Sequence, residues 1–91
     1  MARYGVETKM SPEEVVQKAI DFFGKDGVGL DVADRSRCCA HFEGGGGQVS
    51  VTVSEGEKTE VELVTREWDY DVKRFIEKIA RSALKRREYG V

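Results

Sequence analysis

Residues 41–64 read HFEGGGGQVSVTVSEGEKTEVELV, and this stretch decides the fold. Apolar and polar residues alternate across residues 48–54 and again from Thr59, and a glycine-containing turn precedes each of these runs. A period of two residues is typical of a strand with one buried face, and consecutive strands joined by short turns pair antiparallel. The stretch therefore predicts a β-meander in which Val49, Val51 and Val53 face a core.

The alternation continues in both directions from this centre. Upstream, we predict a strand that begins at Val28, a turn at residues 34–36 and a strand over residues 37–43. Downstream, residues 59–68 form the last strand. A short strand over residues 2–9 comes first in the chain, and the pattern leaves open at which edge of the sheet it pairs.

A capped helix separates the first strand from the others. Ser11 can cap its start, Pro12 fits the first helical position, and Glu14 completes a capping box. Apolar residues then recur at helical spacing until Gly24, which is a natural stop. The spacing predicts a helix over residues 11–24.

The last segment predicts a longer helix that begins at Asp69 or Asp71. Its apolar residues form one stripe, and the opposite side is basic. The stripe consists of Val72, Phe75, Ile76, Ile79, Ala80, Ala83 and Leu84. The basic side consists of Lys73, Arg74, Lys78, Arg81 and Lys85. We expect residues 86–91 to fray.

The order β-α-β-β-β-β-α predicts one α+β domain over residues 1–91. One apolar sheet face and two amphipathic helices must bury each other, so we expect a two-layer sandwich with an antiparallel sheet and the long C-terminal helix packed across it. The order resembles the TATA-binding-protein-like topology. It is also similar to a trimmed helix-grip fold, as in the START and birch-pollen-allergen superfamily. Helix 11–24, meander 28–68 and helix 71–84 carry this resemblance, which is topological and implies no specific activity.

Composition limits the class of protein. Of the 91 residues, 35% are charged and 40% hydrophobic, which is typical of a globular chain, and the net charge is −2. Nucleic-acid binders usually carry a basic excess, so we expect no nucleic-acid partner. The sequence has no apolar run near the ~20 residues that cross a bilayer and no apolar signal core, so we expect a cytoplasmic protein without a membrane partner.

Four consecutive glycines at residues 44–47 raise the possibility of a phosphate-binding loop. Such loops precede a helix and usually bring a Lys-Ser/Thr pair. These glycines lie between two predicted strands, and no lysine follows them. We interpret them as a flexible hairpin turn with a bulge; a mobile flap over a neighbouring pocket is the alternative.

Cys39, His41 and Glu43 share one face of their predicted strand and are of zinc-ligand types. Successive positions on one face are about 6.5–7 Å apart, so a metal could reach two of them at most. They are weak metal candidates, and we expect no metal or cofactor. Cys39 beside His41 is also a nucleophile–base pair, although no third group is evident. We expect Cys38 to face the core, which leaves Cys39 as the reactive thiol.

The leading functional hypothesis is a small non-enzymatic binding or interaction module. It would bind a small apolar ligand between the last helix and the sheet, pair with itself as a homodimer, or bind a partner protein. The expected ligand-binding residues are Phe42, Val51, Leu63, Phe75 and Ile79, with Trp68 and Tyr70 at the rim. The alternative is a small hydrolase or metal-dependent enzyme subunit that uses Cys39, His41 or Glu43.

Overall fold

The computed structural model describes the backbone of residues 2–90 and the side chains of residues 2–80. Its elements follow the predicted order, and every strand pair is antiparallel. The elements are β1 (Ala2–Thr8), α1 (Pro12–Phe23), β2 (Asp31–Arg35), β3 (Cys39–Gly44), β4 (Gly47–Ser54), β5 (Thr59–Arg66) and α2 (Asp69–Gly90). The predicted α+β class and the predicted meander are confirmed.

The five strands form one sheet in the order β1-β5-β4-β3-β2. The first strand therefore pairs with the last one, with Ala2 opposite Thr65 and Thr8 opposite Thr59. Helix α1 packs on β3 and β4, and α2 packs on β1 and β5. Both helices bury the same sheet face in one hydrophobic core. The other face carries neither helix, and we call it the open face.

The predicted capping box opens α1. The Ser11 hydroxyl accepts a hydrogen bond from the Glu14 backbone N–H at 3.2 Å, and the Glu14 carboxylate accepts one from the Ser11 N–H at 2.9 Å. Pro12 is the first helical residue, where its missing N–H costs nothing. The helix ends at Phe23, and the Gly24 N–H donates to the Ile20 carbonyl.

Aromatic rings fill the centre of the core. The Phe23 ring centroid lies 5.4 Å from that of Phe42 and 5.2 Å from that of Phe75, and all three side chains are fully buried. Phe22 adds its edge to Phe23 at 5.0 Å. These contacts hold α1, α2 and β3 together, as the stripe on the last helix predicts. Ala83 and Leu84, the predicted end of that stripe, lie outside the described side chains.

The predicted start of β2 at Val28 is wrong, because the strand begins at Asp31. The Val28 and Leu30 N–H groups donate to the carbonyls of Phe22 and Phe23, so this segment closes the end of α1. Leu30 is buried as expected, whereas Val32 lies at the sheet edge and is 40% exposed.

The predicted inward orientation of Cys38 is also wrong. The turn after β2 covers residues 36–38, so Cys38 precedes β3 and is exposed. Cys39 is the first residue of β3 and is half-buried on the open face. The last strand ends at Arg66 instead of residue 68, because Glu67 turns the chain with a φ of 78°.

The glycine run forms a tight hairpin turn. Gly45 and Gly46 have φ angles of 58° and 81°, the left-handed region that a two-residue turn of type I′ requires. The strands pair up to Gly44 opposite Gly47 with no shift in register, so the predicted bulge is wrong. The Trp68 indole N–H donates to the Gly44 carbonyl at 3.0 Å, which fixes the turn to the start of α2. A register shift occurs instead in β2, between Val32 and Asp34.

Candidate functional site on the open face

The predicted ligand-binding residues divide into a buried set and an exposed rim. Phe42, Val51, Leu63, Phe75 and Ile79 are core residues with at most 1% exposure. Trp68 is half-buried against the glycine turn, and Tyr70 is 73% exposed. Aromatic rings occupy the centre of the layer between the helices and the sheet. A ligand there stays a prediction.

The open face carries the alternate residues of all five strands, and most of them are exposed or half-buried polar side chains. From one edge to the other they are Arg3, Gly5, Glu7, Glu60, Glu62, Val64, Arg66, Gln48, Ser50, Thr52, Ser54, Cys39, His41, Glu43, Asp31 and Asp34. Six of these described residues are carboxylates and two are arginines, so the open face is acidic.

Two pairs of carboxylates lie directly opposite each other on neighbouring strands of this face. Glu7 pairs with Glu60 at one corner of the sheet, and Asp31 pairs with Glu43 at the diagonally opposite corner. Like charges in directly opposed cross-strand positions destabilise a sheet. The fold thus tolerates an electrostatic cost at two points of a surface that its own helices leave uncovered.

A shallow depression lies beside the first of these pairs. Its floor includes Gly5, where an added Cβ would meet no atom within 4 Å. The carboxylates that line it are Glu7, Glu60 and Glu62, and its open-face hydroxyls are those of Thr52 and Ser54. Its basic lining residues are Arg3, Lys9 and Lys58. The Arg3 guanidinium contacts Glu62 at 2.6 Å, and both side chains are about half exposed or more (68% and 48%).

His41 lies at the centre of a short hydrogen-bonded chain. Its Nδ1 is 2.7 Å from the Ser50 hydroxyl oxygen, and its Nε2 is 3.3 Å from the Glu43 carboxylate. When Nε2–H donates to Glu43, Nδ1 is the acceptor for the Ser50 hydroxyl proton. A hydroxyl, an imidazole and a carboxylate in sequence can transfer a proton, and Glu43 supplies the third group that the sequence did not reveal.

The three predicted metal candidates do share the open face but do not form a ligand set. Cys39 lies opposite Thr52, one row along the sheet from His41. Within the part of the chain whose side chains are described, no group of three or more His, Cys, Asp or Glu residues is placed to hold a metal ion.

The two thiols lie next to each other where the chain enters β3. The Cys38 thiolate accepts hydrogen bonds from the Cys39 thiol and from Ser36, and these lower the pKa of Cys38. The same interaction with Cys38, together with burial, raises the pKa of Cys39. The burial of Cys38, on which the expectation of a reactive Cys39 rested, is contradicted, since Cys38 is the exposed thiol and its pKa is the lowered one; which thiol reacts stays a prediction.

Strand alternation placed Ser50 on the outer face of the sheet, but sequence reasoning did not identify it as the hydrogen-bond partner of His41, and it did not place Gly5 on this face. A two-residue turn at Gly45 and Gly46 fixes the register of the hairpin, so counting outward from it would have placed Ser50 opposite His41. No sequence pattern indicated the position of Gly5, because that position depends on the edge of the sheet at which β1 pairs.

No protein-family model, curated protein or solved structure matches this chain. The topological resemblance to TATA-binding-protein-like and helix-grip folds stays a prediction. Among the described residues, none of the helices has the length and apolar character needed to cross a membrane.

Proposed function

We propose that this chain is a non-enzymatic interaction module that binds a positively charged segment of a partner protein on the open face of its sheet. The observation that supports this most is the pair of opposed carboxylates at each of two corners, Glu7 with Glu60 and Asp31 with Glu43. A cationic side chain between two such carboxylates offsets their repulsion. Binding would therefore remove the repulsion between the opposed carboxylates that destabilises the free sheet.

The depression above Gly5 suits one cationic side chain. A lysine or arginine stem can lie along the glycine, where no side chain projects, while its charge lies between Glu7 and Glu60, since Glu62 is already paired with Arg3. The remaining centre of the face is neutral, with Val64, Ser50 and other uncharged residues, and can receive the backbone of the bound segment.

The separation of the two acidic pairs sets the spacing of the partner's charges. Three inter-strand steps of about 4.8 Å and six residues of about 3.3 Å separate them, which gives a diagonal of roughly 25 Å. An extended segment covers that distance in about seven residues. The partner segment should therefore carry two basic clusters about seven residues apart.

The probe for this function is the synthetic peptide Arg-Arg-Gly-Ser-Gly-Ser-Gly-Arg-Arg, titrated by calorimetry at low salt. Replacing both members of one corner, Glu7→Gln with Glu60→Gln, should weaken binding about fivefold, since exposed charge contacts contribute about 0.2–1 kcal/mol each. The same double variant should be slightly more stable than the parent, because the repulsion between the two carboxylates is gone.

Two controls separate site binding from general attraction. Glu13→Gln with Asp26→Asn removes the same charge from exposed positions outside the open face, and it should leave binding unchanged. Gly5→Val places a side chain in the depression at a position where an added Cβ meets no atom within 4 Å, and it should weaken binding. Equal weakening by the two charge variants, or no binding of the peptide at all, would contradict the proposal.

The Ser50–His41–Glu43 chain supports a second candidate, a small acyl hydrolase. Ser50 would attack the acyl carbon while His41 Nδ1 takes its proton; the bond to the leaving group would break as that group takes this proton, and water would then hydrolyse the acyl-serine. These three hydrogen-bonded side chains lie on an open surface, whereas acyl transfer gains most from a site that excludes water. We therefore rank this function second. Hydrolysis of p-nitrophenyl acetate that Ser50→Ala and His41→Ala both abolish would favour it over the interaction module.

A further inference from the structure

We infer that the chain forms a symmetric homodimer in which β1 of one copy pairs antiparallel with β1 of a second copy. The two five-stranded sheets then join into one continuous sheet, with a two-fold axis at Gly5. This interface lies along an edge of the sheet, and it does not depend on the binding of a cationic segment to the open face.

The two edge strands of the sheet, β1 and β2, differ in how well they resist the addition of a further strand. All five residues of β2 are exposed, and a register shift between Val32 and Asp34 interrupts the strand. Bulges and charged residues are common means by which an edge strand avoids pairing with another chain. The seven residues of β1 pair with β5 in unbroken register, from Ala2 to Thr8, and include no proline. The edge that a further strand can join is therefore β1.

The sequence of β1 is complementary to itself in one antiparallel register. When Gly5 lies opposite Gly5 of the second copy, Arg3 lies opposite Glu7, and the two-fold axis repeats this contact. Both side chains are exposed on the open face, and opposite charges in directly opposed positions stabilise a strand pair. Moving the register by two residues in either direction places Gly5 or Lys9 opposite Arg3, and the attraction is lost. The charges of β1 thus select a single register.

The ion pair that Arg3 already makes is compatible with this contact. Its guanidinium contacts Glu62 of the same chain at 2.6 Å. A guanidinium has five N–H donors, so Arg3 can also contact Glu7 of the second copy without leaving Glu62. Neither copy has a side chain at Gly5, so the open face is clear at the two-fold axis. The dimer therefore places one cation between carboxylates of two chains.

A half-buried apolar strip beside the free edge of β1 supports the same interface. The strip consists of Tyr4 and Val6 on β1 and Ile76 on α2, which pack against the core but are not fully covered. Asp69 and Ile76 are seven residues apart and so lie on the same side of α2. This side faces β1, because the Tyr4 hydroxyl donates to Asp69. In the dimer Tyr4 lies opposite Val6 of the second copy, so the strip meets its own counterpart and is shielded from water.

Sedimentation equilibrium of the whole chain, without any peptide, tests this interface. A pair of seven-residue strands is a small interface, so the dissociation constant of the parent dimer should lie in the micromolar range. Arg3→Glu and Glu7→Arg each create like charges in both opposed positions, and each should weaken the dimer at least about tenfold. An equimolar mixture of these two variants should form a heterodimer about as stable as the parent dimer, because every opposed pair again has opposite charges.

Matched control variants lie on the other edge of the sheet. Arg35→Glu and Asp34→Arg make the same charge changes on exposed residues of β2, and they should leave the dissociation constant unchanged. All four positions are exposed, so each variant should keep the circular dichroism spectrum of the parent. A parent chain that stays monomeric up to about 1 mM, or loss of the dimer in the β2 variants, would overturn the inference. A mixture of Arg3→Glu and Glu7→Arg that stays monomeric would also overturn it, because the register that selects the interface would be wrong.

Discussion

Replacing Phe75 by alanine tests the packing of α2 on the rest of the fold. The Phe75 side chain is fully buried, and its ring centroid lies 5.2 Å from Phe23 and 5.6 Å from Phe22. Truncation of a buried phenylalanine to alanine costs about 3–5 kcal/mol. Each aromatic pair contributes about 0.5–1.5 kcal/mol beyond the area that it buries. With two such pairs lost, we expect a cost of about 4 kcal/mol, the middle of that range.

Urea unfolding followed by circular dichroism measures this cost. A domain of this size has a total stability of about 5–10 kcal/mol, so the variant should remain folded in water but with a small margin. With a slope near 1.3 kcal/mol per molar urea, the midpoint should fall by about 3 M. Lys73→Ala, on the exposed side of the same helix, should change stability by no more than about 0.5 kcal/mol. A cost below about 1 kcal/mol for Phe75→Ala would refute the reasoning, because α2 would then not be clamped on the core.

Two further predictions concern the glycine turn and the Tyr4 hydroxyl. Gly46→Ala should cost about 1–2 kcal/mol for its positive φ alone, whereas Gly45→Ala should cost more in the same urea titration, because its Cβ would also lie 2.7 Å from the Trp68 ring. Equal costs would show that Trp68 does not restrain the turn. The Tyr4 hydroxyl donates to Asp69 at 2.8 Å, and this hydrogen bond raises the pKa of the phenol above its ordinary value of 10.0. The folded state then holds the phenolic proton to higher pH than the unfolded state does, so the stabilisation is complete below about pH 10 and is lost as pH rises through the folded pKa. Unfolding titrations at several alkaline pH values should show a decline that Tyr4→Phe lacks, and parallel curves would contradict the assignment.

Local chemistry made α1 and β4 predictable. Ser11, Pro12 and Glu14 satisfy the first backbone groups of the helix without help from distant residues, and the structure contains both capping bonds. The alternation of β4 is equally local, because each buried valine is followed by a polar residue. The conformation of such segments is determined by neighbouring residues, so it can be predicted from the sequence.

The start of β2 could not be read in this way. Val28 and Leu30 alternate with glycine as strand residues would, yet their N–H groups bond to the end of α1. Burial alternates along this segment because it passes the edge of the core. The hydropathy pattern alone does not distinguish such a segment from a strand. Because β2 begins three residues later than predicted, the turn that follows it also lies later in the chain and includes Cys38. This shift makes Cys38 the exposed thiol.

The open face was predictable in composition but not in arrangement. Alternation alone placed Cys39, His41 and Glu43 on one face. The partner of His41 depended on the length of the glycine turn. The opposition of Glu7 and Glu60 depended on where β1 pairs, and that contact joins residues more than fifty positions apart, which no local pattern encodes.

The pairing of β1 with β5 also limits when β1 can join the sheet during synthesis. A ribosome releases Ala2–Thr8 before any other element, yet its hydrogen-bonding partner is Thr59–Arg66. At about 5–20 residues per second, roughly 3–12 s of synthesis separate the two strands. During that time Tyr4 and Val6 have no sheet to join, whereas β2 to β5 can close as successive local hairpins. β1 therefore joins the sheet only after Arg66 has been made, and α2, which packs on both β1 and β5, is made later still.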